Sequence, residues 1–159
     1  MFSVLEKKLY KFLLGMSFLL MLSMVSVIFL QVISRYVFSN SLTWSEEVGR
    51  YLFVWITFLG TALAVRNRSH VALDVLIGKL PQSLKKPVIA FGYLTMMALA
   101  GVMIYAAINM ITLGSRQVSA ALQIPMYWVY LILPVSGVLI IFYLAKNLYE
   151  DCMQGGTED

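Results

Sequence analysis

The sequence predicts an all-α integral membrane protein, with four transmembrane helices and a short amphipathic interfacial helix in the cytoplasmic loop between helices 2 and 3. Three observations carry this. Sixty per cent of the 159 residues are hydrophobic, and mean hydropathy is +0.82. Only 13% are charged, against about 25% in a soluble domain. The charges also bracket apolar stretches long enough for a hydrocarbon core of ~30 Å, which a helix crosses with about 20 residues. The chain, residues 1–159, reads as one membrane domain with spans at about 12–34, 43–65, 88–113 and 124–145.

The first span lies between Lys11 and Arg35. Its uncharged stretch exceeds the 7–15 residues of a signal-peptide core, and the bulky, polar Gln31–Tyr36 offers no small-residue cleavage site. It is expected to be a retained helix. The second apolar stretch, Tyr51–Val65, is short for a crossing. Thr43-Trp44-Ser45-Glu46 fits a capping box that would start the helix earlier, with Glu47 favouring the positive end of its dipole.

After Arg66 and Arg68, apolar Val71, Ala72, Val75, Leu76 and Leu80 recur at helical spacing, and Pro81 ends the run. This predicts an interfacial helix over about 69–80. His70 and Asp74 are four apart on its other face, either as a stiffening pair or as a solvated polar face. The third span lies between Lys86 and Arg116. The fourth follows Pro125, which suits a first helical turn, and contains Pro134, which removes a backbone bond and predicts a kink.

Basic residues set the orientation. Lys7, Lys8 and Lys11 precede span one, and Arg66, Arg68, Lys79, Lys85 and Lys86 lie between spans two and three; Arg35, Arg50 and Arg116 are all that the other two loops carry. The positive-inside rule then predicts cytoplasmic termini in a multi-pass inner-membrane protein. Tyr36, Phe38, Trp44, Tyr127, Trp128 and Tyr130 fall at the opposite, outer ends. The net charge of +4 is therefore read as topology, not as a nucleic-acid surface.

Several function classes lack their atoms. Cys152 is the sole cysteine and His70 the sole histidine, so paired redox thiols, bis-histidine haem and a zinc set are excluded, and no metal or cofactor is expected. No titratable group lies deep in a span, where pumps and intramembrane catalysts need one. The inner polar residues are Ser17, Ser23, Ser26, Gln31, Thr57, Thr61, Asn109 and Ser136, expected to bond between helices. Glu46, Glu47 and Arg50 are three to four apart, so an ion network is expected there. Thr57, Gly60, Thr61 and Ala64 continue along that side, with Gly60 and Ala64 as a small-xxx-small pair. Two readings stay open for this face: subunit docking, or packing within the chain. No nucleophile, metal ligand or second acid accompanies the carboxylates, so no enzyme is expected.

The stretch SLTWSEEVGRYLFVWITFLGTALAVRNRSHVALDVL resembles the signature of the small membrane subunit (DctQ type) of tripartite ATP-independent periplasmic (TRAP) transporters. The matching positions are Trp44, Glu46, Glu47, Arg50, Tyr51, Gly60, Ala62, Arg66, His70 and Asp74. QIPMYWVYLILPVSG is similar to the start of that family's last helix through Gln123, Ile124, Pro125, Trp128, Pro134 and Gly137. The resemblance implies a scaffold subunit that binds neither substrate nor sodium. It implies two partners, a large multi-span subunit with the transport site and a periplasmic substrate-binding protein, importing a carboxylate-bearing organic acid. The alternatives are a self-sufficient small homodimeric transporter and an anchoring or assembly subunit of an unrelated complex.

Overall fold

The computed structural model describes residues 2–40, 42–67 and 82–154. The expected interfacial helix at 69–80, with His70 and Asp74, lies outside them. Helix α1 runs Phe2–Tyr36, α2 Thr43–Arg66, α3 Gln82–Gly114, α4 Tyr127–Tyr130 and α5 Ile132–Gln154. Four spans long and apolar enough to cross a membrane result, with α4 and α5 together forming the last. Among the described residues there is no strand, only an isolated bridge between Val118 and Pro125.

The elements run beyond the expected spans, because a helix does not stop where the hydrocarbon does. α1 includes the charged turns before Phe12, and α3 begins ahead of Pro87. Lys, Glu and Gln are good helix formers. The last span starts at Tyr127, so Pro125 sits in the preceding bridge and not in a first helical turn. The helix is interrupted at Leu131, one turn before Pro134. A proline ring leaves the carbonyl four residues back without its donor, which puts the interruption there and leaves Pro134 in the first turn of α5.

The spans form a row. α1 packs on α2, α2 on α5, and α5 on α3, while α1 and α3 each have a single long neighbour among the described residues. Accordingly Leu13 is the one buried side chain described in α1, whereas α5 buries Ile132, Ser136, Ile140, Tyr143, Leu144 and Asn147. Leu13, Leu59, Leu63 and Ile132 join α1, α2 and α5; Ala62, Val65, Tyr93, Ala100, Ile140, Tyr143 and Leu144 join α2, α5 and α3. In lipid such contacts are favoured by close packing more than by removal from water. Gly137 supplies the closest approach: a Cβ there would lie 2.5 Å from Ile104 Cγ1.

Candidate functional site

Two polar anchors hold the row, one at each end. The first is built on Glu47, a turn into α2. Its carboxylate accepts the backbone N–H groups of Ala120 (2.8 Å), Ala121 (3.2 Å) and Leu122 (2.9 Å). These amides form the tip of a hairpin-like loop, closed by Ser119 N–H to Ile124 O (2.9 Å) and Met126 N–H to Gln117 O (2.9 Å). Gln123 takes a left-handed φ of 56° to complete the turn. Consecutive amides pointing one way make an anion-binding concavity, and here the anion is the chain's own. Tyr51 adds a hydroxyl donated to Met126 Sδ at 3.3 Å.

The second anchor lies at the other end of α2. Arg66 Nε is 3.3 Å from Glu6 of α1, and its guanidinium stacks over the Tyr10 ring at 3.7 Å. Glu6 also bonds Lys146 of α5, which reaches Glu150 at 3.4 Å. Nearby, buried Asn147 donates to Val65 O at 2.9 Å. The nineteen residue steps from Glu47 to Arg66 rise about 28 Å at 1.5 Å each, close to one hydrocarbon thickness.

Between the anchors, one stripe of α2 faces outward. Glu46, Arg50, Phe53, Thr57 and Thr61 are exposed, with Gly60 and Ala64 partly so. No atom lies within 4 Å of a Cβ built on Gly60, so the small-xxx-small pair makes no close approach within this chain. Trp44 and Trp128 are also exposed at the Glu47 end, where Trp128 packs against Tyr127 with ring centroids 5.1 Å apart.

Several expectations are corrected. The capping box does not form: Leu42 is the N-cap, and no side chain caps the helix. Glu46 bonds Arg35 (3.0 Å) and Gln31 (3.2 Å) on α1 instead. Neither Glu46 nor Glu47 pairs with Arg50, because both carboxylates find donors on other elements. The hydroxyls of Ser23, Ser26, Thr57 and Thr61 bond carbonyls four residues back in their own helices, a local option always open to Ser and Thr. Ser136 likewise bonds within its own helix, to Leu133 O three residues back, and Asn109 points outward, exposed. Glu6, Lys146 and Asn147 went unrecognised as a cluster. Only Lys146 and Glu150, four apart on one helix, could have been paired from spacing.

Residues 24–153 match the family model described as "Tripartite ATP-independent periplasmic transporters, DctQ component". Three relatives are similar to this chain. The isethionate TRAP transporter permease protein DctMQ of Oleidesulfovibrio alaskensis is 32% identical, over 87% of this chain and 23% of its own length. The sialic acid TRAP transporter permease protein SiaT of Haemophilus influenzae is 31% identical, over 77% of this chain and 20% of its own. A putative TRAP transporter small permease protein of Haemophilus influenzae is 27% identical over 94% and 91%. The chain thus spans about a quarter of the first relative and a fifth of the second, but nearly all of the third.

Proposed function

The chain belongs to the DctQ-component family of tripartite ATP-independent periplasmic transporters, and on that premise we propose that it is the scaffold subunit that a larger transport subunit docks against. The single membrane domain lies in a bacterial or archaeal inner membrane with both termini cytoplasmic. Transport itself, sodium-coupled import of an organic acid delivered by a periplasmic binding protein, resides in the partners. The similar permeases named for sialic acid and isethionate support an organic anion as cargo, with carboxylates the favoured class.

The carrying observation is the outward stripe of α2. The helix is interior to the row, yet Arg50, Thr57 and Thr61 are exposed, and Gly60 leaves open space beside them. The threonine hydroxyls already bond within the helix, so the stripe can meet another apolar helix without stranding a donor in lipid. Small residues on it permit close backbone approach. The charged side chains described all lie towards the span ends, which suits a brace more than a coupling-ion path.

The experiment is affinity purification of the tagged chain from its native membrane, followed by uptake in reconstituted vesicles. A large multi-span protein should co-purify, and binding-protein-dependent, sodium-driven uptake should need both. Uptake by this chain alone would overturn the reading.

A further inference from the structure

An apolar trough of about 640 Å³ runs between α1 and α2, lined by Leu14, Gly15, Phe18, Met21, Ile56 and Gly60. No atom lies within 4 Å of a Cβ built on either glycine, so the floor is open. At one end the trough shares Lys11 and Leu14 with a second groove of about 360 Å³, bordered by Lys7, Lys8 and Tyr10. The apolar channel therefore opens directly into a basic mouth.

Among the described residues nothing neutralises the charge at that mouth. Glu6, the adjacent carboxylate, is committed to Arg66 and Lys146 on the far side of α1. Among the described residues no ion pair involves Lys7, Lys8 or Lys11, and all three are exposed. The length of the trough is equally telling. Lys11 to Met21 is ten helical residues, about 15 Å, half of a ~30 Å core and so the depth of one leaflet.

From this geometry we infer that the trough is a binding site for one anionic phospholipid of the leaflet at the termini end, its phosphate held by Lys7, Lys8 and Lys11 and an acyl chain laid along Gly15 and Phe18. The occupant follows from charge and shape together. An apolar helix of a partner would fill the trough but leave three lysines unmatched. A soluble anion would match the lysines but not the apolar channel. Each lysine near a membrane surface attracts anionic lipid by about 1 kcal/mol, close to a fivefold change in affinity.

The test is native mass spectrometry of the full chain, with any co-purifying subunit, titrated with phosphatidylglycerol or phosphatidylcholine. Phosphatidylglycerol should bind on the order of tenfold or more tightly than phosphatidylcholine. Combined Lys7→Gln, Lys8→Gln and Lys11→Gln should remove that preference while leaving phosphatidylcholine binding unchanged. Gly15→Leu, which enters open space and leaves the fold intact, should weaken both lipids. Equal affinity for the two lipids, or an undiminished preference in the triple variant, would overturn the inference. So would efficient disulfide trapping of Gly15→Cys by a cysteine on a co-purifying large subunit, which would show protein in the trough.

Discussion

Glu6 and Lys146 form an ion pair between the first and last spans, two helices whose backbones do not approach each other among the described residues. The pair closes over the end of α2, where Arg66 approaches the same carboxylate. Three of the four spans are thereby tied at one level of the membrane.

Removing that carboxylate should loosen the tie. Glu6→Gln is expected to lower unfolding free energy in detergent by about 1–2 kcal/mol. A fully buried pair broken on one side costs about 3–5 kcal/mol. Lys146 and Arg66 keep 36% and 22% of their side-chain surface, so solvent screening reduces the cost. Denaturant titration, with a double-mutant cycle against Arg66→Gln, checks both the size and the coupling.

Glu47→Ala should free the 117–126 loop without unfolding the bundle. The amides of Ala120, Ala121 and Leu122 lose their acceptor and should exchange hydrogen faster, while those of α5 keep their protection. Glu47→Gln retains one oxygen acceptor and should fall between. Peptide-level hydrogen exchange reads the two variants against the parent chain directly.

The glycines of α2 and α5 should behave oppositely. Gly137→Ala drives a Cβ against Ile104 and Met103 and should destabilise the isolated chain by about 1–3 kcal/mol. Gly60→Ala meets open space and should change it by less than about 0.5 kcal/mol.

Arg50→Ala should leave the thermal midpoint of the isolated chain unchanged, since neither Glu46 nor Glu47 pairs with it. The same variant should lower the yield of the complex, measured by co-purification. Glu46→Gln, losing only an exposed pair with Arg35, should cost less than about 1 kcal/mol in either assay.

Four spans were legible because hydropathy and charge spacing report directly on the bilayer; the start of α2 at Thr43 was expected from a capping box, and the helix does begin there although that box does not form. The partners of the charges were not. Helical spacing set Arg50 beside Glu46 and Glu47, but Arg35 and the amides of 120–122 reach those carboxylates through tertiary contacts that no period in the sequence encodes. Glu6 was hidden for the same reason: its partners lie 60 and 140 residues along the chain. The stripe of Thr57, Gly60, Thr61 and Ala64 was visible as a face, and it took the row arrangement to show that no element described here covers it. Pro134 announced an interruption correctly, displaced by the one turn over which a proline acts.

Anchors a hydrocarbon thickness apart on a single helix also bear on how the protein answers a change in its membrane. Sliding one helix past its neighbours would break an anchor at the top or the bottom. A thinner or thicker bilayer must therefore be met by leaning the whole panel, or by deforming the lipid around it. Such a panel therefore offers its neighbours a surface of fixed height.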